Sequence, residues 1–136
     1  VLHPQIEVKT ADSRGVLPLS VSLEAAAKQA SWMGMFVAAC YRDDPEQAAL
    51  ALEDLLIAPH RKKLIPYFQH IEKIAIESGA RAGGISGSGP STFWLATSEV
   101  DALAVVRALK AFMIQNDAPF QLHRAQIAQR GAHIIA

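Results

Sequence analysis

The spacing of hydrophobic residues changes several times along the chain, and each change marks a predicted element. Near the start, Ile6 and Val8 alternate with polar neighbours, which is the two-residue period of a half-buried strand. From residue 20 to about residue 42, apolar residues recur at steps of three and four, which is the period of an amphipathic helix. The pattern therefore predicts a strand over residues 5–10 and then a long helix.

Two further helices are predicted before the next strands. Asp44 is suited to cap a helix that begins at Pro45, and Gln47 stands where a capping box closes. Another helix follows the segment APHRKKLIP and ends at Gly79, because glycine is the usual residue at a helix C-terminus. These helices separate the first predicted strand from the second.

The second half of the chain predicts a strand pair, a helix and a closing strand. The runs AGGISGS and STFWLAT are separated by a Gly-Pro turn, and SEVD at 98–101 matches a capping box before a long helix that NDAP ends. QLHRAQIA and AHIIA predict one or two final strands. The order predicts an α+β fold: a ferredoxin-like antiparallel sheet with helices on one face and extra helices in the first crossover.

Composition narrows the class of protein. The chain has 136 residues, 51% hydrophobic and 19% charged, which predicts a single globular domain over residues 1–136. Its 13 basic and 13 acidic residues give zero net charge without a basic run, so we expect no nucleic-acid partner. No apolar stretch reaches membrane length, no leader-like segment opens the chain, and one cysteine permits no intramolecular disulfide. We therefore expect a cytoplasmic protein with no membrane partner.

The stretch GGISGSGPSTFWLA at residues 83–96 holds four of the chain's eight glycines and is the main candidate for a site. It lacks the lysine of a Walker loop, the third glycine of a dinucleotide fingerprint and the closing glycine of a nucleophile elbow. Serines interleaved with glycines expose small hydroxyls and backbone N–H groups, which suit phosphate or carboxylate oxygens. On this pattern alone, the alternative is a tight turn between paired strands.

Three sequence blocks together resemble a known family. GGISGSGPSTFWLA resembles the third conserved motif of the small-molecule kinases grouped with galactokinase, homoserine kinase, mevalonate kinase and phosphomevalonate kinase. HPQIEVKTADSRGVLP at 3–18 and APHRKKLIPYF at 58–68 resemble two segments of the homoserine kinases. The blocks stand in the family's order and span nearly all of the chain, which narrows the resemblance to homoserine kinase.

The resemblance implies that ATP phosphorylates the hydroxyl of L-homoserine, giving O-phospho-L-homoserine in threonine biosynthesis. The family has an N-terminal domain with the nucleotide site and a C-terminal ferredoxin-like domain that closes over the substrate. The family's phosphate-binding motif does not occur in these residues. We therefore expect the C-terminal domain alone, inactive without its N-terminal domain. ATP and Mg²⁺ are expected for the full-length enzyme, and neither is expected to bind this fragment alone.

The resemblance also implies which residues form the site. Arg14 and Arg61 match family arginines that hold the homoserine carboxylate, for which a guanidinium offers two matched donors. No catalytic residue and no metal ligand is expected, and the resemblance is compatible with a homodimer. Four glycine-loop residues are expected to support the site without transferring protons: Ser86, Gly87, Ser88 and Gly89.

Two other functions fit part of the pattern. A ferredoxin-like regulatory module that binds an amino acid would share the fold and the neutral charge, but such modules usually have one helix in the first crossover. A related kinase acting on another small alcohol would share the glycine loop, but the two arginine matches favour an amino-acid carboxylate. Without the resemblance, each arginine would be an ordinary surface residue.

Overall fold

Four short strands form one antiparallel sheet. Across the sheet, the second strand lies at one edge, followed by the third, the first and the fourth. Leu2 pairs with Thr92 on one side and with Leu122 on the other, so the first strand is central. This order confirms the predicted ferredoxin-like sheet. The strands are β1 (Leu2–Pro4), β2 (Ala82–Ile85), β3 (Thr92–Leu95) and β4 (Phe120–Leu122).

Helices fill both crossovers of the sheet. The first crossover, from β1 to β2, carries five of them and a single 3-10 turn at Lys62–Leu64, and the second, from β3 to β4, carries the last helix. The extra helices of the first crossover are those that the sequence predicts, with two short additions. The helices are α1 (Thr10–Gly15), α2 (Leu23–Tyr41), α3 (Pro45–Leu50), α4 (Ala58–Arg61), α5 (Phe68–Glu77) and α6 (Glu99–Gln115).

The predicted helix boundaries follow from local capping. The Asp44 carboxylate accepts a hydrogen bond from the Gln47 N–H at 3.0 Å at the start of α3, and the Ser98 hydroxyl accepts one from the Asp101 N–H at 3.0 Å at the start of α6. Gly79 follows α5 with a φ of +111°, a conformation that favours glycine. These contacts confirm the predicted ends of the three helices.

The computed structural model describes residues 1–132 and residue 134. The strand predicted over residues 5–10 is wrong, because β1 lies three residues earlier and α1 begins at Thr10. The Ile6 N–H donates to the Pro4 carbonyl at 2.8 Å, and this tight turn takes the chain off the sheet. Of the predicted final strands, QLHRAQIA contributes only residues 121 and 122 to β4, and three residues of AHIIA lie outside the described residues: His133, Ile135 and Ala136.

The core lies between the sheet and the pair of helices α5 and α6. Leu2 of β1 is fully buried against Ile71 of α5 and Leu109 of α6. Trp94 and Phe120 pack at the edge of this cluster from neighbouring strands. Two helices thus cover one face of the sheet. The loop between β2 and β3 lies outside this core cluster and is available for a site.

Helix α2 contributes little to this core. Ala39 is its buried residue, whereas Leu23, Met33 and Tyr41 are 86%, 61% and 90% exposed. We call the exposed apolar side of α2 that carries Leu23, Met33 and Tyr41 the α2 surface.

Within residues 1–132 and residue 134, no helix combines the length and apolar character needed to cross a membrane.

Candidate functional site

In the strand part of the glycine-rich hairpin, an aromatic ring determines which residue can stand at position 83. Gly83 of β2 pairs with Trp94 of β3, and a Cβ built on Gly83 would overlap that ring and lie 2.5 Å from the Phe93 carbonyl oxygen. The Trp94 indole also donates to the Thr92 hydroxyl at 3.1 Å, which holds the ring in place. Only glycine fits beneath this tryptophan, so Gly83 serves packing.

The loop between the two strands is a closed tight turn. The Ser86 N–H donates to the Ser91 carbonyl at 2.8 Å, and the Gly89 N–H donates back to the Ser86 carbonyl at 3.2 Å. Gly87 and Gly89 have φ values of +63° and +81°, which L residues with side chains rarely adopt. The predicted turn is therefore present, and its two glycines are required by backbone conformation.

The tip of this turn exposes hydrogen-bond donors. Among the described residues, no acceptor receives the N–H of Gly87 or the N–H of Ser88. Successive backbone N–H groups that point outward can bind an anionic oxygen. The loop is thus both a turn and a surface suited to carboxylate or phosphate.

Arg61 ties the loop to two helices. From the end of α4, its Nε donates to the Ser13 carbonyl oxygen at 3.1 Å and its Nη1 donates to the Gly87 carbonyl oxygen at 3.1 Å. A guanidinium has five N–H donors, so three remain for a ligand, including both on Nη2. The structure brings Arg61 together with the predicted loop. Two of its donors are used to hold the chain's own backbone there.

Arg14 differs from Arg61 in the bonding of its side chain. It is exposed on α1, and its side chain makes no hydrogen bond or ion pair within the described part of the chain. Arg14 directly follows Ser13, the residue that Arg61 contacts, so the backbone of Arg14 lies next to that contact. The donors of the Arg14 guanidinium are therefore all available for a ligand.

Two further residues at the site carry no signal in the sequence pattern. Ser13 is fully buried, and its hydroxyl donates to the Ser88 carbonyl oxygen at 2.9 Å. His3 and Ser91 share a hydrogen bond at 2.8 Å between Nδ1 and Oγ, which fixes the exit of the loop to β1. Both contacts join residues more than seventy positions apart, so no local sequence pattern predicts them. The one signal that could have pointed to Ser13 is its position next to Arg14.

The donor set decides which ligands fit. Arg14, Arg61 and the loop N–H groups all suit anionic oxygens, such as a carboxylate or the phosphates of a nucleotide. Mg²⁺ prefers carboxylate and other oxygen ligands. In residues 1–132 and residue 134, no three His, Cys, Asp or Glu side chains lie close enough to hold a metal ion.

Comparison with known proteins gives the family. The family model described as GHMP kinases C terminal matches residues 35–115. The chain belongs to the GHMP kinase C-terminal family. That match includes Arg61 and the glycine loop, and it starts after Arg14. The resemblance to this kinase group is confirmed.

Longer relatives cover the rest of this GHMP kinase C-terminal chain. It is similar to a homoserine kinase of Chlorobaculum tepidum, with 34% identity over 138 residues, covering 100% of this chain and 43% of that protein. It is also similar to the crystal structure of homoserine kinase from Cytophaga hutchinsonii, with a TM-score of 0.83 and 34% identity over 88% of this chain and 38% of that one. The chain thus spans about two fifths of the length of these relatives, and the similarity confirms the α+β fold.

Proposed function

We propose that the chain is the C-terminal part of a homoserine kinase. The full-length enzyme would transfer a phosphoryl group from ATP to the hydroxyl of L-homoserine, giving O-phospho-L-homoserine in threonine biosynthesis. The observation that carries this proposal is the similarity of the entire chain to the C. tepidum homoserine kinase at 34% identity. The three ordered sequence blocks support the same substrate.

The role proposed for this chain is to bind and orient the substrate. The free guanidinium of Arg14 and the remaining donors of Arg61 can pair with the two oxygens of the homoserine carboxylate. The loop N–H groups of Gly87 and Ser88 add donors for a further anionic oxygen. Holding a substrate in one geometry lowers the entropic part of the barrier, and no residue of this chain is assigned a proton transfer.

The nucleotide-binding and metal-binding residues would belong to an N-terminal domain of the same polypeptide. We assign ATP and Mg²⁺ to that domain, because the chain covers 43% of the C. tepidum relative, its sequence lacks the family's phosphate-binding motif, and its described residues include no cluster suited to a metal ion. The α2 surface, with Leu23 and Tyr41 86% and 90% exposed, fits a protein partner, either that domain or a second copy in a homodimer. Zero net charge argues against a nucleic-acid partner, and the cytoplasm is the compartment we propose.

Two alternatives use the same donors. A regulatory module would bind an amino acid through Arg14 and Arg61 without phosphorylating it, and a related kinase would act on another small alcohol. The similarity of the whole chain to homoserine kinases favours the first proposal over both.

ADP release distinguishes these functions. The full-length protein, assayed with ATP and Mg²⁺, should release ADP on addition of L-homoserine and much less with mevalonate or galactose. The purified chain of 136 residues should stay at background, because the family's phosphate-binding motif does not occur in its sequence. L-homoserine binding without ADP release by the full-length protein would instead establish the regulatory module, and turnover by the chain alone would refute its expected inactivity.

A further inference from the structure

Ser13 is an unusual residue in an otherwise exposed helix. It is 0% exposed, and it is the one buried residue of α1, whose other five residues are exposed. A helix of six residues has little stability of its own, and Lys9 at its start makes no side-chain cap. The orientation of α1 therefore depends on what Ser13 contacts.

All three polar groups of Ser13 are engaged. Its N–H donates to the Lys9 carbonyl at 3.0 Å, and its carbonyl accepts from Arg61 Nε at 3.1 Å. Its hydroxyl donates to the Ser88 carbonyl oxygen at 2.9 Å. A buried hydroxyl is costly unless it is bonded, so this bond selects one position of α1 against the loop.

We infer that Ser13 is a positioning residue for substrate binding, an inference that rests on the proposed function. Its hydroxyl fixes α1 to the tip of the glycine loop, and the next residue is Arg14, whose side chain makes no hydrogen bond or ion pair in the described structure. The position of Arg14 depends on the position of α1, because Arg14 belongs to that helix. Ser13 thus sets the position of a carboxylate-binding group without touching the substrate.

The test compares three single variants of the full-length protein. Ser13→Ala removes the hydroxyl, and Ser13→Cys replaces it with a slightly larger thiol that is a weaker donor. Ser31→Ala is the matched control, because the Ser31 hydroxyl also donates to a backbone carbonyl, that of Lys28 at 2.7 Å, on the α2 helix. For each variant, KM and kcat are measured separately for L-homoserine and for ATP.

Loss of one neutral hydrogen bond should raise the KM for L-homoserine about three- to tenfold in Ser13→Ala. The KM for ATP should stay within about twofold, because the inferred contact orients the carboxylate anchor alone. Ser13→Cys should fall between the wild type and Ser13→Ala, and Ser31→Ala should match the wild type. A purely structural serine would instead lower the melting temperature and leave both KM values of the folded enzyme unchanged, which would overturn the inference.

Hydrogen exchange separates this inference from the proposed function. In the full-length protein, amides of residues 9–18 and 86–91 should exchange faster in Ser13→Ala than in Ser31→Ala. Equal exchange in the two variants would refute the attachment of α1 to the loop, whatever the enzyme's substrate. Faster exchange in a protein that does not phosphorylate L-homoserine would support the attachment and refute the proposed function. If Ser13→Ala does not fold, Ser13→Cys carries the same kinetic and exchange comparisons.

Discussion

The β2–β3 hairpin uses glycine for two different reasons only four residues apart. At Gly83, in the strand, a Cβ would overlap the Trp94 ring, so the residue is small because a neighbour occupies the space. At Gly87, at the tip, no atom lies within 4 Å of a Cβ, but φ is +63°, so the residue is glycine because of the backbone. The strand end of the hairpin serves packing, and its tip forms part of the candidate site.

The largest expected effect is at the strand end. Gly83→Ala should displace Trp94 from the core and lower the free energy of unfolding by about 3 kcal/mol, or roughly 10 °C in melting temperature. Gly34→Ala is the control, because Gly34 lies inside α2 with nothing within 4 Å, and alanine there should raise helix stability slightly. Thermal denaturation of the full-length protein measures both. A Gly83→Ala protein as stable as the wild type would show that the ring can move aside at no cost.

Arg14 and Arg61 should show smaller effects on stability and a large effect on substrate use. Arg14→Ala and Arg61→Ala should each lower kcat/KM for L-homoserine by about 10- to 100-fold, since a charge-assisted bond contributes about 1.5–3 kcal/mol. Arg61→Ala should also lower the melting temperature, because two backbone carbonyls lose their donor. Lysine at either position should recover only part of the activity.

Arg107→Ala is the matched control for the arginines. Arg107 is exposed on α6, and its side chain makes no hydrogen bond or ion pair within the described residues, so its loss should leave both measurements unchanged. Wild-type kinetics in both Arg14→Ala and Arg61→Ala would contradict the proposed carboxylate contacts.

The smallest expected effects separate the two glycines of the turn. At either position alanine must adopt a positive φ, which costs about 1–2 kcal/mol. At Gly89 its Cβ would also lie 3.1 Å from Cδ1 of Ile65, whereas at Gly87 it would meet open space. Gly89→Ala should therefore melt below Gly87→Ala by a few degrees, and both should weaken L-homoserine use. Equal melting temperatures would show that Ile65 yields without cost.

The parts of the fold that the sequence predicts are those specified by local signals. The caps of α3 and α6 and the turn after β2 depend on residues close together in the chain. The predicted strand at residues 5–10 is wrong, because the alternation of Ile6 and Val8 gives no indication of the turn that the Pro4 carbonyl closes. Helices α1 and α4 have six and four residues, too few for a hydrophobic period to appear.

For the candidate site, the sequence predicts which residues take part but not the contacts between them. Arg14, Arg61 and the glycine loop follow from the resemblance, and their substrate contacts stay predictions. The hydrogen bond from Arg61 to Gly87 joins residues 26 apart, and the one from Ser13 to Ser88 joins residues 75 apart. Such pairings depend on how the helices pack, which no local pattern in one sequence specifies.

The two hydrogen bonds of Arg61 have a consequence for the thermodynamics of ligand binding. They already restrict the rotamers of that side chain, whereas the side chain of Arg14 makes no hydrogen bond or ion pair in the described residues. Immobilising a long side chain on association costs about 0.5–1.5 kcal/mol of conformational entropy. Arg61 has lost much of that freedom during folding, so the entropic cost of capturing a carboxylate falls mainly on Arg14.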